Sequence, residues 1–352
     1  MHVKKKVIGI LGGNGNIGSI LTNLIKQTGY KYLIGSRRTH KSLTSQSVDI
    51  CSDKSLENFL EKVDIVVNCV GPSISMSKLV LDKTTDMGID YLDPFGWQEN
   101  TGNIICSNSR IILNSGCVPG LLGILIKFIH TKNADEIIVW SGGREDGSWV
   151  SIGDILLSSI KGFGKPNMII KDGNITRCTL NGNNHDVINK SKYLSKHTTE
   201  KPVIQAYLTE EIEGVASELK IKNISSYSLW PDNLVKNSIL DGCIELSKAN
   251  NQKEEKDLYK RIHKKLISIN NQKNKWFFIE VRGILNNKNQ GLIVSTNDSS
   301  QLSALTLYHM VETLTAKEIK NGIYYPFQLA DVDRMYELLS SAKVKMTFHG
   351  EI

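Results

Sequence analysis

The sequence is short of features that would assign it quickly. Its six cysteines, Cys51, Cys69, Cys106, Cys117, Cys178 and Cys243, are scattered. None forms a Cys-x-x-Cys pair or a zinc-ligand spacing with histidine, so no metal site is expected. No apolar run is long. The greasiest stretch, Cys117–Ile129, is broken by Pro119, two glycines and Lys127, and falls short of the ~20 residues that span a bilayer. No secretory leader is evident, because Lys4, Lys5 and Lys6 run into only the short apolar segment Val7–Leu11. Those lysines read as a solvated lead-in. A dense basic tract is also missing, and the net charge of +7 is modest for 352 residues, so neither nucleic acid nor a membrane is an expected partner. A reduced, soluble, cytoplasmic protein is the resulting expectation.

What the chain does have is globular composition, 40% hydrophobic and 22% charged, over a length sufficient for two cores. The expected division is 1–125, 126–310 and a C-terminal segment 311–352. Val7–Leu11 has the pattern of a strand buried on both faces. Gly12-Gly13-Asn14-Gly15-Asn16-Ile17-Gly18 follows directly. Ile17, Ile20, Leu21, Leu24 and Ile25 then fall at helical spacing up to Gly29, and Tyr32–Gly35 reads as a second strand. A glycine turn between strand and helix suits a dinucleotide. Gly13 permits the tight turn, Gly15 lets backbone approach a diphosphate, Gly18 lets the helix lie on the strand, and free N–H groups at the helix start face the anion.

The end of the second strand selects the cofactor. An acidic residue there would accept a bond from the ribose 2′-OH, but this sequence has Ser36-Arg37-Arg38. Guanidinium groups hold a 2′-phosphate that a carboxylate would repel. NADP(H) is therefore expected in preference to NAD(H).

The alternation continues through Val48–Ile50 as a third strand, a helical face of Leu56, Phe59, Leu60 and Val63, and a buried strand Asp64–Val70 closed by Gly71-Pro72. A helix around Ser77–Met87, then Tyr91–Asp93 and Ile111–Asn114, complete the set. Strands alternating with helices imply an α/β class, an N-terminal Rossmann doubly wound parallel sheet. Ligands bind beyond the carboxyl ends of such strands, which places Asn68–Pro72, Asp93–Gly96 and Ser115–Gly120 near the nicotinamide.

Four stretches resemble the saccharopine dehydrogenase-like family of reductases: Gly12–Gly18, Val66–Pro72, Tyr91-Leu92-Asp93-Pro94-Phe95-Gly96 and Gly116-Cys117-Val118-Pro119-Gly120. A fainter likeness lies at Gly322–Pro326, and residues from about 175 to 275 match poorly. The resemblance implies cofactor contacts at Gly13, Gly15, Asn16, Ile17, Ser36, Arg37, Arg38, Asp49 and Gly71, with Asp49 near the adenine. It also implies reduction of C=N bonds in amino-acid-derived imines, with C=C reduction in some relatives, and a C-terminal segment returning to the first domain. Short-chain dehydrogenases are set apart, since no tyrosine here has lysine four residues on.

The second domain is expected to be α+β with a mixed sheet. Glu136–Trp140 opens it. Ser151–Asp154 resembles a capping box for a helix Ile155–Ile160, Trp276–Gly283 and Gly291–Ser295 read as a hairpin, and Asn250–Lys275 holds an amphipathic helix. Asp93 is the candidate for orienting or protonating a substrate, its alternative being a turn residue bonded to backbone. Arg144, in a glycine-rich and loop-like segment, could anchor a substrate carboxylate or pair with Glu145 or Asp146. Trp149 and Trp97 could wall a pocket or be packed.

The expected function is NADPH-dependent reduction of a C=N bond in an amino-acid-like, peptide-derived or carrier-tethered small molecule, by a chain that could pair as a homodimer. Reduction of C=C or C=O is the second reading. A regulatory protein that senses NADP(H) without turnover is the third.

Overall fold

The computed structural model describes residues 6–38, 42–96, 108–130, 134–180, 184–197, 202–286 and 288–350. Trp97, Cys106, Lys4 and Lys5, singled out above, lie outside them. The chain divides into two compact units, Met1–Leu121 with Ser300–Leu338, and Leu122–Ser299 with Leu339–Ile352.

The first unit begins β1 (Val7–Leu11), α1 (Asn16–Lys26), β2 (Lys31–Ser36), β3 (Ser45–Ser47), α2 (Asp53–Leu60), β4 (Ile65–Asn68), α3 (Ser73–Asp86), β5 (Asp90–Leu92) and β6 (Arg110–Ile112). The chain goes on through α4 (Leu121–His130), β7 (Glu136–Arg144), α5 (Trp149–Lys161), β8 (Gly164–Pro166), β9 (Met168–Lys171), β10 (Asn174–Arg177), α6 (Asn184–Lys190) and α7 (Leu194–His197). Then come β11 (Val203–Thr209), α8 (Glu210–Leu219), β12 (Ile224–Trp230), α9 (Asn233–Leu246), α10 (Gln252–Asn270), β13 (Trp276–Leu285) and β14 (Lys288–Thr296). The last elements are α11 (Ser299–Ala316), β15 (Gly322–Tyr324), α12 (Pro326–Leu329), α13 (Val332–Ser341) and β16 (Lys345–Gly350).

Seven strands form the first sheet in the order β15-β6-β5-β4-β1-β2-β3, and every pairing is parallel. Parallel strands need crossovers, and the sequence supplies them as amphipathic helices. In α1 the buried residues are Gly18, Leu21, Thr22 and Ile25, one face of the helix. Leu56, Phe59 and Leu60 of α2 pack with Val66, Tyr91 and Ile111 of the strands in one core cluster. Burying each such side chain contributes about 1.5–3 kcal/mol before chain entropy is counted. The strand order turns back between β1 and β4, which opens a crevice at their carboxyl ends.

The second unit holds a nine-stranded mixed sheet, β10-β9-β12-β7-β13-β14-β16, with β11 on β12 and β8 on β11. Among its described pairings only β12 and β7 run parallel. The β13–β14 hairpin pairs Phe277 with Thr296 through Leu285 with Lys288. Helix α10 buries Leu258, Tyr259, Ile262 and Leu266, and a Cβ on Gly242 of α9 would stand 3.0 Å from Leu156 of α5 and 3.3 Å from Ile262. The three helices pack that closely. The architecture is α/β, a doubly wound parallel sheet plus a second unit with a mixed sheet.

Three local expectations are corrected. The third strand is Ser45–Ser47, not Val48–Ile50. The Asp49 carboxylate accepts the Cys51 N–H at 3.1 Å, an Asx turn that takes the chain out of the ladder. Helix α5 starts at Trp149, capped by Ser148, whose Oγ accepts from Ser151 N at 3.1 Å while Ser151 Oγ accepts from Ser148 N at 2.8 Å. The glycines before Arg144 do not make a loop, for β7 continues through them. Gly142 has φ +144°, and a Cβ there would lie 2.4 Å from Leu229 O; on Gly143 it would lie 2.1 Å from Trp276 O. These glycines permit close strand approach rather than a turn.

Candidate functional site

The crevice between β1 and β4 is built first from the glycine turn. Gly12, not Gly13, carries the left-handed backbone, with φ +73°, and a Cβ on it would sit 2.7 Å from Cys69 O after β4. On Gly18 a Cβ would be 2.4 Å from Gly12 O, and on Gly13 it would be 2.7 Å from Ile34. The turn is thus pressed between α1, β2 and the end of β4, with room only for hydrogen. Gly15 is the N-cap of α1. It offers no side-chain cap, and no acidic residue occupies the first turn. Among the described residues no side chain caps the leading N–H groups, and the helix dipole at this end favours negative charge. Asn16 opens the helix exposed, and Ile17 behind it is half-buried.

Arg37 and Arg38 follow β2 directly, and both are exposed. Among the described residues no carboxylate pairs with either. Their backbone, in contrast, is tied down. Asn14 Nδ2 donates to Ser36 Oγ at 2.9 Å and to Arg38 O at 3.1 Å, Ser36 Oγ donates to Arg38 O at 2.7 Å, and Ser47 Oγ reaches Arg37 O at 3.5 Å. Asn14 was not among the sequence-predicted residues. Its partner Ser36 is 22 residues away, and no periodicity or motif spacing signals that bond. Asp49 sits just past β3, where its backbone N–H donates to Ser55 Oγ at 3.0 Å.

At the carboxyl ends of β4, β5 and β6 a buried polar chain connects three loops. Asn68 Nδ2 donates to Tyr91 OH at 3.1 Å, and Tyr91 OH donates to Asp93 Oδ2 at 2.9 Å. Asp93 Oδ1 accepts from Asn114 N at 3.1 Å, and Asn114 Oδ1 accepts from Gly96 N at 3.0 Å. Asn68 Oδ1 accepts from Val70 N, 3.1 Å away and next to Gly71. Asp93 has no solvent exposure, and a Cβ on Gly96 would meet its carboxylate at 2.1 Å. Burial, and after it the Asp93 charge, drives the Tyr91 hydroxyl well above its usual range. The same two causes push the half-buried Cys69 thiol up to about 12, which keeps it protonated. Tyr91 is core, yet it also links Asn68 to Asp93.

Arg144 and Trp149 belong to the second unit. The Arg144 side chain is out of solvent; its Nη2 donates to Asp232 Oδ2 and its Nη1 to Asn270 Oδ1, each at 2.7 Å. The guanidinium already neutralises a carboxylate of this chain, where a substrate carboxylate would have to stand. Asp232 is held down to about 2. Burial opposes that shift, and the Arg144 bond, the Val235 N–H and Lys273 outweigh it. Trp149, half-buried, lies beneath Lys256 Nζ at 5.6 Å and Lys260 Nζ at 6.0 Å from α10.

Among the described residues no group of three or more His, Cys, Asp or Glu side chains could hold a metal, and no helix is long and apolar enough to cross a membrane. Residues 8–85 match the model of the NAD dependent epimerase/dehydratase family. No curated protein matches the chain. Among solved structures, a Bacteroides thetaiotaomicron protein assigned as an epimerase is 21% identical over 26% of this chain and 47% of its own, with a TM-score of 0.23. The UDP-N-acetylglucosamine 4-epimerase of Bacillus cereus is 20% identical over 30% of this chain and 41% of its own, with a TM-score of 0.22. A meso-DAP dehydrogenase variant with DAP from Clostridium tetani is 14% identical over 96% of this chain and all of its own, with a TM-score of 0.47. The chain thus spans less than half the length of the two epimerase structures. What residues 8–85 share with the matching family is a nucleotide-binding Rossmann fold.

Proposed function

We propose that the protein is an NADP(H)-dependent oxidoreductase that reduces the C=N bond of an amino-acid-like or peptide-derived imine. The observation that carries the cofactor is the pair of exposed guanidiniums, paired with no carboxylate among the described residues, beside a glycine cradle at the point where the strand order turns back. The cradle suits a diphosphate, since added Cβ atoms would clash with the turn and the first helical N–H groups have no side-chain cap. Gly13, Gly15, Asn16 and Ile17 would face the diphosphate, Ser36, Arg37 and Arg38 the 2′-phosphate, Asp49 the adenine, and Gly71 the inner half of the dinucleotide. The C=N preference rests on the resemblance of Tyr91–Gly96 and Gly116–Gly120 to saccharopine dehydrogenase-like reductases. The match over residues 8–85 supports nicotinamide-dinucleotide binding and does not reach the reaction.

When bound, the dihydronicotinamide supplies a hydride to the imine carbon. The chain's own part is positioning. Asp93 fixes Tyr91 and Asn114, and through them the loops after β4, β5 and β6, along the edge where the reacting atoms would meet. With both carboxylate oxygens accepting bonds and no surface exposed, Asp93 orients these loops, and water supplies the proton to the substrate nitrogen. The test is NADPH consumption with imines formed from α-keto acids and amines. Steady turnover with at least one is expected. Tight NADPH binding without turnover across imines, enones and ketones would replace the enzyme by a cofactor sensor, and failure to bind either nicotinamide nucleotide would remove both readings.

A further inference from the structure

We infer that Asn14 is a positioning residue for cofactor choice: it ties the glycine cradle to the arginine segment and holds Arg37 and Arg38 ready for a 2′-phosphate. The inference rests on the NADP(H) reading and adds to it a determinant that lies outside the arginines themselves.

The geometry is a closed ring of three polar atoms. Both protons of the Asn14 amide nitrogen are spent, one on Ser36 Oγ and one on Arg38 O, while Ser36 Oγ spends its own proton on Arg38 O. Asn14 stands between Gly13 and Gly15, so its backbone belongs to the diphosphate cradle and its side chain to the arginine segment. Packing cannot hold that segment, because Arg37, Arg38 and Asn14 are all exposed. Among the described residues, the Val48 N–H holds Ser36 O at 3.0 Å where β2 ends, but beyond it the other tie, Ser47 Oγ to Arg37 O, is long at 3.5 Å. The Arg38 carbonyl is therefore turned toward the cradle by the ring, and the two guanidiniums leave from a fixed base. Without the ring the segment must be ordered at the moment of binding, and that entropy is subtracted from affinity. Asparagine fits the place because it presents two N–H donors on a short stem; serine has one, and aspartate has none and adds a charge that would repel phosphate.

A nucleotide lacking the 2′-phosphate does not use the arginines, so the ring matters to one cofactor and not the other. Its effect must also disappear when the arginines are gone. The experiment is calorimetric titration of wild type, Asn14→Ala, Asn14→Ser and Ser36→Ala with NADPH and NADH. Adenosine 2′,5′-bisphosphate and adenosine 5′-monophosphate serve as half-cofactor probes. Asn14→Ala should weaken NADPH and the bisphosphate about tenfold, the loss of two modest hydrogen bonds, and NADH and the monophosphate by less than about twofold. Asn14→Ser should fall between and reports on the ring should Asn14→Ala fold poorly, while Ser36→Ala, which also removes a group facing the phosphate, should cost NADPH at least as much as Asn14→Ala. In an Arg37→Ala/Arg38→Ala background, Asn14→Ala should cost nothing more. Equal losses for both nucleotides, no loss for either, or a full additional loss in the arginine-free background overturns the latch. A wild type with no preference for NADPH shows instead that the cofactor reading has failed, and the latch fails with it.

Discussion

Replacing Asp93 by asparagine removes one charge and almost no volume, yet it breaks the polarity of the chain Asn68–Tyr91–Asp93–Asn114. In one amide orientation the new NH2 faces the Tyr91 hydroxyl, now a donor to the carboxylate at 2.9 Å. In the other it faces the Asn114 N–H, a donor at 3.1 Å. In the first case the Tyr91 oxygen can accept from the amide but its own proton loses its acceptor, and in the second two donors confront each other, both at a position with no exposure. A buried donor left unsatisfied costs about 1–3 kcal/mol. If that cost falls on the ordering of the three loops, turnover should drop roughly 5- to 150-fold. NADPH affinity should change little, since the cradle at Gly12–Gly18 does not include Asp93. Tyr91→Phe, which removes the hydroxyl joining Asn68 to Asp93, should give a loss of similar size. The double variant should be little worse than the poorer single one, because both act on one network. Steady-state kinetics with an active imine, together with NADPH titration, reads all of this. If Asp93→Asn abolishes turnover while Tyr91→Phe is silent, Asp93 is a proton donor and the positioning argument is wrong. If both are silent, the network has no part in the reaction.

Arg37→Ala/Arg38→Ala should weaken NADPH at least about tenfold, even after discounting exposed charge-assisted bonds, with NADH held within about twofold; titration showing equal losses refutes the 2′-phosphate clamp. Arg144→Leu should cost about 1–3 kcal/mol, because it takes the donor from buried Asn270 Oδ1 and leaves Asp232 to Lys273 and the Val235 N–H, and urea unfolding at the wild-type midpoint would show that this pair contributes nothing. Burial holds His309 below its usual 6.5, outweighing the nearby Glu312 and Asp331, and its Nε2 accepts the Asp331 N–H at 3.1 Å. The unfolded chain therefore takes up the proton more readily, so this contribution to stability is present above about pH 6.5 and is lost as pH falls from there through the lower folded value. His309→Gln should flatten that part of the stability profile, and an unchanged slope argues against it.

Much of the first unit was legible because burial and period coincide there. Val7–Leu11 and Ile65–Asn68 are short apolar runs, and α1 and α2 keep their apolar residues on one face. Each segment therefore announces its own secondary structure, and parallel pairing follows from the alternation. The errors fall where backbone geometry decides and side-chain polarity does not. The polar Ser45-Gln46-Ser47 is a strand because its backbone meets the edge of β2, whereas Val48-Asp49-Ile50, with two β-branched residues, is drawn into an Asx turn by Asp49. Gly142-Gly143 looked like a loop, because closeness to Leu229 and Trp276, each more than 80 residues further along the chain, leaves no trace in a local window.

The candidate site divides in the same way. The order of residues by itself determined the glycine turn, the arginine pair after β2 and the place of Asp93 at a strand end. These are local consequences of chain direction and residue type. Tertiary structure alone decided that Asn14 closes on Ser36 and Arg38, that Asp93 is buried beneath Gly96 with Tyr91 and Asn114, and that Arg144 is consumed by Asp232. Hydrogen bonds between polar groups far apart in sequence have no period and no fixed spacing; they exist only once the hydrophobic faces have packed and brought the strand ends together.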